Sequence, residues 1–230
     1  MDFNTGPGSG SSSPTPGGGP RPASGGTGGE FTLQDPVGSF VRTVVAVVTQ
    51  PVPFFRGIAR QGNFVNPLVF ALICALISAL LSGILGLIFA PLVASPGDTG
   101  EAFAGGIGGL IGGLILSPIF TAIGLVIAAS IFHLLVLIFV RPSNAGFEAT
   151  FRVASYIQVT QLVSWIPVVG SIVAAVWSIV LYIFGIREMH GTTTGKATLI
   201  VLIPVAVLLI LLVVIGGALL VFLLGNQQQF

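Results

Sequence analysis

Residues 105–140 read GGIGGLIGGLILSPIFTAIGLVIAASIFHLLVLIFV, 36 positions without one Asp, Glu, Lys or Arg. As a continuous helix this run would extend roughly 54 Å, well beyond the about 30 Å of a bilayer core yet too little for two spans and a turn. Pro118 divides it in this reading. Ile119 to Val140 forms one span, and Gly105 to Ser117 forms a glycine-rich preamble read as a short half-buried or re-entrant element, with an interfacial segment or an extension of the second span left open. A preamble that crossed the membrane would move everything after it to the opposite side, so this stretch decides the topology.

Three further stretches, 67–97, 153–186 and 197–230, also lack every charged residue. The first gives a span at 67–90, with Pro67 suited to a first helical turn and Pro91 ending it. The second carries Trp165, Ile166, Pro167, Val168, Val169 and Gly170, a tight-turn signal that splits it into short spans at 150–166 and 171–186. The last gives 197–224, kinked at Pro204. The expected fold is an all-α polytopic bundle of five transmembrane helices, spanning 67–224.

Composition points the same way. The chain is 53% apolar and 7% charged with a net charge of +1, which excludes a water-soluble globule and leaves no basic field to hold nucleic acid. The expected surroundings are the lipid bilayer, in a multi-pass protein of the cytoplasmic membrane if the source is prokaryotic. Other membrane proteins or a second copy are the candidate partners.

Residues 1–30 hold 10 Gly, 5 Pro and 5 Ser, too little apolar surface to offset ordering entropy, so 1–35 is expected to be a disordered cytoplasmic tail. Asp2 stands where a secretory signal carries Lys or Arg, and no apolar run follows. In 36–66, Phe40, Val41, Val44, Val45, Val47, Val48, Phe54 and Phe55 alternate with Arg42, Arg56 and Arg60, the mix of a juxtamembrane segment lying among headgroups. Residues 225–230 form a short polar tail.

Cytoplasmic loops concentrate Lys and Arg, which orients the five spans. With the N-terminus inside and the C-terminus external, Arg21, Arg42, Arg56, Arg60, Arg141, Arg152, Arg187 and Lys196 all face the cytoplasm. The other side receives only Asp98 and Glu101.

No Asp or Glu falls inside a span, so the midplane carboxylates that pumps commonly use are missing. His133 and His190 form no zinc-protease motif, no serine elbow accompanies His133, and the lone Cys74 offers neither a disulfide nor a Cys-based zinc site. The reading is therefore non-enzymatic, with no catalytic residue, cofactor or metal.

Intramembrane polar residues are the candidate site. His133 lies roughly 12 Å from the Arg141 end of its span, a depth similar to that of Gln158 and Gln161 from Arg152. Tyr156, Thr160 and Ser164 follow Arg152 at i+4 spacing, giving the third span one polar face. Lipid cannot satisfy that face, so it turns to a helix, a second protomer or a wet cavity. Gly105, Gly109 and Gly113, with Gly108 and Gly112, form two small-residue rows that suit either close helix packing or a loosened loop.

Gly146, Phe147, Thr150, Phe151, Arg152, Ala154, Ser155 and Tyr156, then Trp165 to Gly170, Gly185, His190, Lys196 and Ala197, with Pro51, Phe54 and Phe55 upstream, resemble the Yip domain family over about residues 37–215. The resemblance implies a five-span bundle with a cytoplasmic N-terminus. Its eukaryotic members are linked to Rab GTPases, vesicle traffic and membrane shaping. This chain lacks their Asp-Leu-Tyr-Gly-Pro motif and has Ile157, Gln158 and Val159 where a proline often follows the tyrosine. The Gly/Pro head is similar to a prokaryotic extension. The expected function is membrane organisation or protein interaction of the Yip type; the alternative is a small transporter or channel component with a polar path near His133 and the third span.

Overall fold

The computed structural model describes residues 29–93, 99–141 and 144–226. The head at 1–28 with Arg21, the loop residue Asp98 and the tail residues 227–230 lie outside the described residues. Among those described there is no strand; the elements are α1 (Pro36–Thr49), α2 (Pro51–Gly57), α3 (Val65–Val93), α4 (Thr99–Phe139), α5 (Phe147–Ile157), a 3-10 turn (Gln158–Thr160), α6 (Gln161–Ser164), α7 (Val169–Met189) and α8 (Thr194–Asn226).

Four helices are long and apolar enough to cross a membrane: those built on α3, α4, α7 and α8. Two expectations need correction. Pro118 does not divide residues 105–140, because α4 is one helix of 41 residues, about 60 Å long, with Pro118 in its interior. Gly105 to Ser117 is thus neither re-entrant nor a separate element. The third expected span, 150–166, is not one α-helix either. It is α5, the 3-10 turn and α6 in succession, where Gln158, Thr160 and Gln161 tighten the backbone.

α3 and α4 run antiparallel, with Gly83 against Leu110 and Gly106 against Leu87. α5 to α6 then climbs alongside them. His133 Nδ1 lies 3.1 Å from Thr150 Oγ1 at its foot, and Ser164 Oγ lies 3.2 Å from Ser78 Oγ at its top. Ser78 is 13 residues beyond the start of α3, about 20 Å of rise. The expected turn at Pro167 follows, with Val168 at φ 62°, and α7 returns to the end where α5 began. There Arg56 Nε pairs with Glu188 at 3.0 Å, and Arg187 reaches Thr194 at the start of α8.

The packed core sits at this basic end. Tyr156, Phe70, Phe55, Leu181, Ile186, Met189 and Ile200 are fully buried there, whereas the far half of α8 bares Leu208, Leu211, Val214 and Leu219 to its surroundings. Residues 29–35, which composition groups with the tail, are tied to the core through Phe31, which is buried and packs on Phe70 with ring centroids 5.9 Å apart. Asp35 caps α1 by accepting from the Gly38 amide, and Pro36 fills its first turn.

Candidate functional site

Charge placed in a low-dielectric interior must be compensated, and Arg152 is where the chain meets that demand. Its side chain is 5% exposed. Nε and Nη2 donate to Glu148 Oε1, one helical turn earlier, at 3.2 and 3.1 Å. Nη2 also donates to the Asn63 carbonyl at 3.0 Å, and Nη1 pairs with Glu30. Tyr156, one turn on, donates its hydroxyl to the same Glu30 oxygen at 2.8 Å. Two carboxylates and a carbonyl from three separate segments thus converge on one guanidinium. The approach is close enough that a Cβ on Gly62 would stand 2.9 Å from Arg152 Nη2. Beside it lies a cavity of about 410 Å³ lined by Glu30, Thr32, Gln34, Asn63, Asn66 and Arg152 among others.

A second polar assembly joins α4, α5 and the end of α7. The Ala145 amide donates to His190 Nδ1 at 3.1 Å, so that nitrogen is unprotonated and the neutral ring carries its hydrogen on Nε2. Nε2 then donates to Thr150 Oγ1 at 3.0 Å, and the threonine hydroxyl is free to donate to His133 Nδ1 at 3.1 Å. The direction of every bond follows from the first. His190 is 1% exposed, and burial, with the charges of His133 and Arg60 adding to it, pulls its pKa down to about 4.

The six polar residues singled out from sequence do not form one cluster. His133 meets Thr150 rather than Gln158 or Gln161, and its ring packs edge-on to Phe147. Tyr156 turns to Glu30. Gln161 donates to Gln158, Thr160 donates to the Ile157 carbonyl at 3.0 Å, and Ser164 bonds Ser78 and the Gln161 carbonyl. Among the glycines, a Cβ on Gly105, Gly108, Gly109, Gly112 or Gly113 would meet nothing within 4 Å. Gly109 and Gly113 instead line an apolar cleft of about 650 Å³ between α3 and α4.

Glu30 and Glu148 carry no mark in the sequence reading, and Thr150 and His190 enter it among the residues of the family resemblance, not as candidate site residues. The available signal was Arg152 itself, a cation at a span's edge that requires a partner, with Glu148 at i−4. Nothing in the Gly-rich head marked Glu30. Among the described residues no three His, Cys, Asp or Glu side chains converge in metal-ligand geometry.

An all-helical bundle with four long apolar helices, basic residues gathered at one end and outward-facing aliphatic side chains defines a multi-pass integral membrane protein. The Yip1 domain family model matches residues 45–215, and the chain belongs to that family. No curated protein and no solved structure gives a match.

Proposed function

We propose that this chain is a five-pass protein, N-terminus cytoplasmic and C-terminus external, that organises its membrane or docks other membrane proteins without catalysing a reaction. In a prokaryote it would lie in the cytoplasmic membrane. The observation that carries this reading is that the polar side chains of the α5 to α6 segment, and His133 beside it, find hydrogen-bond partners inside the chain, whereas the buried Ser117 Oγ and Trp177 Nε1, which have none, lie on α4 and α7. Tyr156, Thr160, Ser164, Gln161 and His133 each bond within the chain, which suits packing rather than a solute path. In support of five passes, α5 to α6 rises from the level of His133 to that of Ser78, and α7 returns.

The test is thiol accessibility. Thr160→Cys and Gln161→Cys, each in a Cys74→Ala background, are treated with a membrane-impermeant maleimide from either side. Protection is expected; labelling of either position would favour the transporter reading. Reporter fusions after residues 145 and 192 should read cytoplasmic, and those after 100, 169 and 230 external. Inversion of everything after 118 would overturn the orientation.

A further inference from the structure

α1 is amphipathic in an unusual sense, because two of its hydroxyl residues face the protein while most of its valines face outward. Ser39 and Thr43 are buried, and both hydrogen-bond the segment before the helix. Ser39 Oγ donates to the Thr32 carbonyl and accepts from the Thr32 amide, each at 3.0 Å, while Thr43 Oγ1 donates to the Gly29 carbonyl at 2.7 Å. Val47 is also buried, and Phe40 packs on Phe70 of α3 with ring centroids 5.3 Å apart. Valines occupy the outward face: Val37 is 77% exposed, Val41 55%, Val45 54% and Val48 42%.

At roughly 100° per residue these four valines fall within an arc of about 80°. The helix surface then divides into three sectors in order. One is the protein face of Ser39, Thr43 and Val47. The next is the valine face. The third carries exposed Arg42 and Thr49. A helix at the rim of a soluble fold has two sectors, core and water. A third, aliphatic sector between them needs a third medium. Phe70, against which Phe40 of α1 packs, is five residues into a membrane-spanning helix, about 8 Å beyond its start, so α1 meets the bundle within the first turns of that helix.

We propose that α1 lies in the plane of the membrane, flanking the bundle, with Val37, Val41, Val45 and Val48 seated in the acyl boundary and Arg42 and Thr49 directed at headgroups and water. The occupant of the valine face is the bilayer that holds α3. This refines the headgroup-level segment expected from sequence. Phe54 and Phe55, which belong to that segment in sequence, are buried inside the protein, and the valines of α1 are the apolar side chains that face outward. The inference does not depend on the number of passes.

Spin labels at Val41→Cys, Val45→Cys and Thr49→Cys, in the full chain with Cys74→Ala reconstituted in phospholipid nanodiscs, test it by collision with dissolved oxygen and with a water-soluble nickel chelate. Val41 and Val45 should favour oxygen by several-fold over the chelate, and Thr49 the reverse. Chelate access equal to that of Thr49 at the two valines would overturn the proposal. So would protection from both reagents, which would mean that a second copy or another protein covers the face. Unchanged helicity of the labelled proteins ensures that either result reports the native fold.

Discussion

Tyr156 and Glu30 are 126 positions apart, and the tyrosine hydroxyl donates to the glutamate carboxylate at 2.8 Å, binding the segment ahead of α1 to the last turn of α5. The ring is held independently, edge-on to Phe54 at 5.1 Å and tilted on Phe70 at 5.3 Å. Tyr156→Phe therefore removes one hydrogen bond to a charged partner and leaves the packing in place. The expected loss is about 1.5–3 kcal/mol of stability, read from denaturant unfolding in detergent micelles. A loss under a few tenths would show that Arg152 alone positions Glu30.

His190 sets a pH dependence whose sign follows from its burial. Its pKa is about 4 folded against an ordinary 6.5, so below pH 6.5 the unfolded chain binds the proton that the folded chain refuses. The stability associated with neutral His190 is complete above pH 6.5 and is lost as pH falls from 6.5 toward 4, on the order of 3 kcal/mol in total. Protonating Nδ1 also sets a new N–H against the Ala145 amide, loosening the link before α5. Unfolding midpoints measured from pH 4 to 8 should slope upward through this window, and His190→Asn should flatten the slope.

The helical architecture was legible because charge-free runs of this length have few other solutions in a bilayer. The turn at Pro167 was legible from its own residues. Pro118 misled because a proline inside a membrane helix removes one bond that its surroundings can replace, so α4 continues through it. The third span misled in the other direction, since helical spacing of polar residues does not reveal a 3-10 turn at 158–160. Of the candidate site, Tyr156 and His133 were legible as polar groups at depth, but their partners were not. Glu30 sits among glycines and prolines, and its partnership with Arg152 exists only once Phe31 has buried itself on Phe70.

The glycines of α3 and α4 separate into two kinds, which a pair of substitutions distinguishes. A Cβ at Gly83 would stand 2.7 Å from Leu110 Cδ1 and 3.0 Å from its Cβ, whereas one at Gly109 would meet nothing within 4 Å. Gly83→Ala should cost about 1–3 kcal/mol through overpacking. Gly109→Ala should raise stability by about 0.5–1 kcal/mol through helix propensity in the isolated chain. A destabilised Gly109→Ala that also shifts the size distribution in light scattering would identify the open glycine row as a contact between copies.

Gly185 is a point where α7 lies close to both α5 and α2. A Cβ there would stand 2.5 Å from Val153 Cγ1 on α5 and 3.3 Å from Phe55 Cζ on α2, so one added methyl strikes two elements at once. Val153 and Phe55 are both buried and cannot swing toward open space. Gly185→Val should therefore cost about 1–3 kcal/mol and push α7 away from α5. Because His190 ends α7 and holds Thr150 on α5, the same displacement should lengthen the bond between them and raise the His190 pKa toward its ordinary value. Histidine ring resonances followed by NMR across pH 4–7 would report it. An unmoved His190 titration in a destabilised Gly185→Val would mean that α5 yields at Val153 instead, leaving its N-terminal turn on α7.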